Sequence, residues 1–270
     1  MKHVLTIAGS DSGGSAGIQA DLKTMCALGV FGMSALTAVT AQNTMGVRGV
    51  HEIPHEIVTG QIDAVFEDIR VDAVKVGMVA NSAVARAVRA ALSKHAAVNV
   101  VVDPVMVAKS GDRLLSEDSQ REIMLLAAGS ALVTPNLYEA ELLAGVKIRT
   151  RADMREAALR IRDQGVGNIL VKGGRFDGDA DDFLLIGDEE IWLECPRIKT
   201  RNTNGTGCTL SSAIACGLAE GMPLRDAATE AKKYVTQAIR DGLDVGCGAG
   251  PLGHLVRLYR AVSPLTSPAL

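Results

Sequence analysis

The chain is 270 residues long, 47% hydrophobic and only 3% aromatic, with a net charge of −3. This is enough for one large α/β domain or two small ones with a core of Val, Leu, Ile, Ala and Met, and the lack of a basic run or aromatic–basic interleaving argues against nucleic acid. Five cysteines (Cys26, Cys195, Cys208, Cys216, Cys247) with no C-x-x-C pair argue against a disulfide framework or a zinc knuckle.

A reducing cytosol suits those thiols. No signal peptide precedes the first apolar run and no run is long enough to span a bilayer, so a cytoplasmic protein without a membrane partner is expected. The first strand is predicted over 4–8. A loop, Gly9-Ser10-Asp11-Ser12-Gly13-Gly14-Ser15-Ala16-Gly17, leads into a helix over 18–28. Its glycines do not make G-x-G-x-x-G, so a substrate loop or a tight β–α turn is the better reading than a dinucleotide site. Asp21, one turn into the helix, either reaches a ligand or is solvated. A second strand over 34–40 closes with Ala41-Gln42-Asn43-Thr44. Gln42 and Asn43 lie where open α/β sheets place ligands, and an amide can present a donor and an acceptor to one heterocycle edge; a plain polar loop is the alternative.

His51-Glu52-Ile53-Pro54-His55 has the letters of the zinc-protease motif. That motif needs one continuous helix, which Pro54 would break, so Pro54 is placed as the first residue of a helix running to about Asp68. The next strand and turn cover 73–78, with Lys75 either paired to an acid or snorkelling to an edge. Asn81 is a cap for a helix over 83–94. A strand over 98–102 ends in Asp103-Pro104, where the carboxylate could meet a metal or cationic group, or cap the structure. A polar loop at 108–112 and a helix over 117–126 follow. After a strand over 131–134, Asn136 and Glu139 form either a capping box or a hard-oxygen site for Mg²⁺ through water. A helix over 151–164 leads to a strand over 168–171 ending in Lys172-Gly173-Gly174, which suits phosphate. A polar turn over 175–180 and a hairpin of 183–186 and 191–193, through Gly187-Asp188, complete the sheet.

The stretch Asn202-Thr203-Asn204-Gly205-Thr206-Gly207-Cys208-Thr209-Leu210-Ser211-Ser212 organises the rest. Gly205 and Gly207 permit a turn, and helical apolar spacing begins at Leu210. Unpartnered amides and the helix dipole make such a start an anion site, and the same field favours a thiolate at Cys208; an ordinary turn with a small buried cysteine is the alternative. Helices are predicted over 210–220 and 224–240. A last glycine loop, Gly246-Cys247-Gly248-Ala249-Gly250-Pro251, and a frayed tail over 263–270 follow. The alternation of strand and helix predicts one three-layer α/β domain over 1–262.

In this order, Val4-Leu5-Thr6-Ile7-Ala8 with its glycine loop, Lys75-Val76-Gly77-Met78, Val102-Asp103-Pro104-Val105-Met106, Thr134-Pro135-Asn136-Leu137-Tyr138-Glu139-Ala140-Glu141, Val171-Lys172-Gly173-Gly174 and Gly205-Thr206-Gly207-Cys208-Thr209 closely resemble the hydroxymethylpyrimidine/phosphomethylpyrimidine kinases of thiamine biosynthesis. These kinases belong to the ribokinase-like superfamily, and the likeness runs from about residue 2 to 260. The resemblance implies a ribokinase-like α/β/α sandwich with a mostly parallel sheet, usually a homodimer. It implies transfer from ATP, with Mg²⁺, to 4-amino-5-hydroxymethyl-2-methylpyrimidine and then to its monophosphate.

By the same resemblance, Gly205, Thr206, Gly207 and Cys208 form the anion hole, with Cys208 where most of the superfamily has an aspartate base. Gln42 hydrogen-bonds the pyrimidine, with Gly9, Asp21, Met78 and Val105 nearby. Asn136 and Glu139 organise Mg²⁺ and phosphate, and Lys172, with Asp103, faces the nucleotide. The family commonly has histidine where this chain has Asn204, which cannot carry an imidazole's proton. The Cys208 thiolate is expected to take the substrate hydroxyl proton. The rivals are a pyridoxine/pyridoxal kinase of the same subfamily and a non-catalytic pyrimidine sensor.

Overall fold

Apolar strand residues alternate between two faces. Val4, Ala73, Val101, Leu132 and Leu170 turn one way, and Leu5, Val74, Val102, Val133 and Ile169 turn the other. Such strands need cover on both sides. The computed structural model, which describes residues 1–106, 117–174, 178–256 and 258, supplies that cover. Its elements are β1 (His3–Asp11), α1 (Gly17–Ala27), β2 (Phe31–Asn43), β3 (Gly46–Glu52), α2 (His55–Asp68), β4 (Ala73–Val76), α3 (Ser82–Lys94), β5 (Val100–Val102), α4 (Glu117–Ala128), β6 (Leu132–Val133), α5 (Leu137–Ala144), α6 (Arg151–Arg162), β7 (Asn168–Val171), β8 (Asp182–Ile186), β9 (Glu189–Leu193), α7 (Thr206–Ala219) and α8 (Leu224–Arg240). One sheet has the order β3-β2-β1-β4-β5-β6-β7-β8-β9. β2 through β7 in that order run parallel, while β3 and the β8–β9 hairpin are antiparallel at the two margins. Helices α2 to α6 cover one face, and α1, α7 and α8 cover the other.

The strand order turns back at β1, which opens a crevice beyond the carboxyl ends of the parallel strands.

Three local expectations are corrected. Helix α7 begins at Thr206 rather than Leu210, because Gly205 enters the left-handed region (φ 86°) and caps the helix directly, so Cys208 lies in its first turn. Strand β3 was not expected: all seven of its residues are exposed, so it carries no buried alternation to read. Pro54 is the cap residue before α2, not its first residue. His51 therefore sits in a strand and His55 opens a helix, which is no zinc-protease geometry. The polar loop at 108–112, part of the turn at 175–180 and the tail at 263–270 lie outside the described residues.

Candidate active site

The strand ends gather the chemistry. Asp11 closes β1 and pairs in register with Thr40, two residues before Gln42. Gly77, Asp103, Asn136 and Lys172 follow β4, β5, β6 and β7. Backbone bonds fix their order: Gly77 N donates to Ile7 O at 2.9 Å, Asp103 N to Val76 O at 2.8 Å, and Lys172 N to Pro135 O at 2.8 Å.

The start of α7 faces this edge. A Cβ on Gly205 would lie 1.9 Å from the Ser15 carbonyl, and its φ disfavours any side chain. A Cβ on Gly207 would lie 3.1 Å from Lys172 Nζ and 3.4 Å from Asp103 Oδ2. The first turn of the helix, whose leading amides have no intrahelical partner, thus lies beside the lysine. The structure brings Gly205, Gly207, Cys208, Lys172 and Asp103 into one place.

Charge is compact there. Lys172 Nζ contacts Asp103 Oδ1 at 2.5 Å. Burial pulls the Lys172 ammonium down, but Asp103 and Glu139 outweigh it and hold its pKa above the ordinary value. Glu139 is pushed up to about 7, chiefly by burial, with Lys172 opposing and Asp103 adding. Asn136 and Glu139 form the capping box: Asn136 N donates to Glu139 Oε2 at 2.7 Å and Glu139 N to Asn136 Oδ1 at 3.0 Å. Among the described residues no cluster of three or more His, Cys, Asp or Glu could hold a metal unaided. The donor set still suits Mg²⁺, which needs only one or two carboxylates beside substrate phosphates. Asp103 and Glu139 are two buried carboxylates beside Lys172, a set whose negative charge a divalent cation would help to neutralise.

Cys208 differs from expectation. It is half-buried, and its thiol is pushed up to about 11. Burial is the main cause. Lys75 and a bond from the Gly17 amide favour the thiolate, while Asp21 and Asp103 oppose it.

Asp21 is also corrected. It is not solvated but fully buried (0% exposed). Lys75 Nζ donates to both its oxygens at 2.8 and 3.0 Å, Thr6 Oγ1 to Oδ2 at 2.6 Å and Ser212 Oγ to Oδ1 at 2.8 Å. Ser212 stands one helical turn beyond Cys208, so this ion pair forms the floor under the thiol. Lys75, also 0% exposed, is held protonated above its ordinary range: burial opposes this, and Asp21, Cys208 and Asp103 prevail.

On the other side of the edge, a Cβ on Gly9 would meet Met78 Cε at 2.5 Å, so these two touch. Val105 follows Asp103 and is half-buried. Gln42 is half-buried at the end of β2; Thr40 Oγ1 donates to its Oε1 at 3.1 Å.

Two residues escaped sequence reasoning. Asp11 accepts amides from Gly13 (2.8 Å), Ser15 (3.0 Å) and Ala16 (2.9 Å), fixing the first glycine loop. An aspartate heading a Gly/Ser loop is a signal that could have found it. His254 is buried with Nε2 2.8 Å from Thr209 Oγ1, and Thr209 Oγ1 donates to Gly205 O at 2.8 Å. No sequence pattern announces that contact.

A model of the phosphomethylpyrimidine kinase family, described as Phosphomethylpyrimidine kinase, matches residues 11–253. The chain belongs to this family. It is 50% identical over 252 residues to the hydroxymethylpyrimidine/phosphomethylpyrimidine kinase of Streptomyces coelicolor, covering 93% of each chain. It is also 50% identical over 255 residues to the thiamine biosynthesis bifunctional protein of Geobacter sulfurreducens; this covers 94% of the chain but spans about half (52%) of that longer protein. Among solved structures, an ADP complex of Bacillus subtilis pyridoxal kinase aligns with a TM-score of 0.90 at 36% identity, covering 96% of this chain and 99% of the other. The ribokinase-like α/β/α fold follows from that likeness and from the sheet itself. No described helix is long and apolar enough to cross a membrane.

Proposed function

We propose that residues 1–262 form one kinase domain that transfers the γ-phosphoryl group of ATP to 4-amino-5-hydroxymethyl-2-methylpyrimidine, and then to its monophosphate. The observation that carries this is the placement of the first turn of α7 beside Lys172 and Asp103, in a chain of this family. Phosphoryl transfer needs in-line positioning and stabilised charge more than covalent chemistry. The 205–208 amides receive the moving phosphoryl oxygens and Lys172 faces the nucleotide phosphates. Glu139 and Asp103 are the carboxylates for Mg²⁺, with the free lone pair of Asn136 Oδ1 available to a bound water. When bound, Mg²⁺ neutralises phosphate charge. Gln42, Gly9, Met78 and Val105 hold the pyrimidine by one amide and by shape. The minor thiolate form of Cys208 accepts the hydroxyl proton at the moment of transfer; Lys75 and the Gly17 amide favour that form, while burial, Asp21 and Asp103 oppose it.

The test follows ADP release with Mg²⁺, using the free pyrimidine alcohol, its monophosphate and pyridoxal in parallel. Turnover on both pyrimidines is expected, and turnover on pyridoxal alone overturns the substrate assignment. That second substrate is kept in view because a pyridoxal kinase aligns over nearly the whole chain. Full activity in Cys208→Ala removes the proton-acceptor role.

A homodimer is part of this reading. β3 is a sheet margin with Val47 and Val50 about half exposed and Met45 beside them 69% exposed, an edge that unaccompanied proteins usually protect. Sedimentation of the parent and of Val50→Lys tests it, with dissociation expected in the variant. Five free cysteines are consistent with a reducing cytoplasm.

A further inference from the structure

The glycine loop at 246–251 has no part in the chemistry above, yet it touches both ends of the cleft. Gly248 N donates to Thr44 Oγ1 at 3.2 Å, and Ala249 N donates to Thr44 O at 3.0 Å. The fit leaves no room for side chains. A Cβ on Gly248 would lie 2.0 Å from Thr44 O, and one on Gly246 would lie 2.3 Å from Thr44 Oγ1. Two residues on, Asn204 N donates to Gly250 O at 3.0 Å, and Asn204 pairs with Pro251 in a parallel bridge. The next residue is Gly205, the cap of α7.

Thr44 stands two residues beyond Gln42. The other flank of Gln42 is tied as well. Gln42 N donates to Ser12 Oγ and Ser12 Oγ donates to Gln42 O, both at 2.8 Å. Asp11 fixes the loop that contains Ser12, and Ser15 O of that loop lies against Gly205. The end of β2 is therefore tied to the helix start along two separate paths, one through the 246–250 loop and one through the Ser12 hydroxyl and the loop that carries it.

We propose that Thr44, gripped by the 246–250 loop, is a positioning residue that sets the distance between the pyrimidine edge and the amides that receive the phosphoryl group. This rests on the roles given above to Gln42 and to 205–208. An acceptor hydroxyl misplaced by about 1 Å loses about 10²-fold in rate. A strap that fixes this spacing therefore acts on kcat without contacting either substrate.

Gly248→Ala and Thr44→Val test it beside Gly60→Ala, a helix position where a Cβ meets nothing within 4 Å. Amide hydrogen exchange of the ligand-free protein is read first. Faster exchange over 204–209 is expected in both strap variants and not in Gly60→Ala. In steady state, kcat with the pyrimidine alcohol falls by about 10²-fold in Gly248→Ala, with KM for ATP unchanged. Thr44→Val, which removes only the hydroxyl contact, carries both readouts if Gly248→Ala does not fold. Unchanged exchange over 204–209 overturns the proposal whatever the substrate is. So does faster exchange with an unchanged kcat. Gln42→Ala separates the two layers: an unaltered KM for the pyrimidine sinks the substrate assignment alone and leaves the exchange result standing.

Discussion

At the end of the cleft proposed for phosphate, Lys172, Asp103 and Glu139 form one buried charge network, and Gly205 is held where no side chain fits. At the end proposed for the pyrimidine, Gly9, Gln42, Met78 and Val105 carry no charge, and the closest contact is with the flexible tip of a methionine. The contrast separates two kinds of constraint. A charge network in low dielectric fails abruptly when one member is lost, because the others are left uncompensated. A neutral surface fitted by shape yields by degrees.

The largest effect is expected beneath both ends. Lys75→Met leaves the Asp21 carboxylate buried without its ammonium, at a cost of about 3–5 kcal/mol. Urea denaturation measures it, and Lys75→Met with Asp21→Leu together should recover most of the loss. A single variant as stable as the parent would mean that the floor is not held by charge. At the phosphate end, Lys172→Met should lower kcat/KM by about 10²–10³, the usual result of deleting one preorganised donor from a transition state. A mere rise in KM for the pyrimidine would put Lys172 at the wrong end.

These two lysines show what sequence could and could not reveal. The position of Lys172 at the end of β7 is legible because a strand ending in Lys-Gly-Gly is a local pattern, as is the 205–208 turn. Asp21 is 54 residues from Lys75 and 191 from Ser212, and only the oddity of a lysine in a strand hinted at the cluster. The thiolate expected at Cys208 followed from the local helix field; burial and the carboxylates of Asp21 and Asp103, all set by tertiary structure, reverse it. β3 was unreadable for the opposite reason: with every residue exposed, nothing in it alternates. The central parallel strands β4 to β7, buried on both faces, were readable to within two residues of their ends, whereas β1 and β2 run up to three residues beyond the stretches expected.

His254 supports the phosphate end from outside, through Thr209. Burial first, then the charge of Lys23, lowers it from the ordinary 6.5 to about 4 against the pull of the Leu252 carbonyl. Its folded pKa lies below its unfolded one, so its contribution is full above pH 6.5 and is lost as pH falls towards 4, by about 3 kcal/mol at most. His254→Gln should therefore lose less stability than the parent between pH 7 and 4.5. Parallel unfolding curves at the two pH values, with equal losses in both proteins, would exclude this residue. The smallest effect belongs to the neutral end. Gly9→Ala pushes on Met78 Cε, which can swing aside, so about a tenfold rise in KM for the pyrimidine is expected, with KM for ATP unchanged.

The claim on which the rest depends is that the amides of Gly205, Thr206, Gly207 and Cys208 receive the migrating phosphoryl group. Its most direct test is the amide NMR spectrum during titration with ADP, Mg²⁺ and aluminium fluoride in the presence of the pyrimidine alcohol. The largest amide shifts should fall on Gly207 and Cys208 and weaken in Lys172→Met. A titration that saturates while these four amides stay at their ligand-free positions would contradict the assignment.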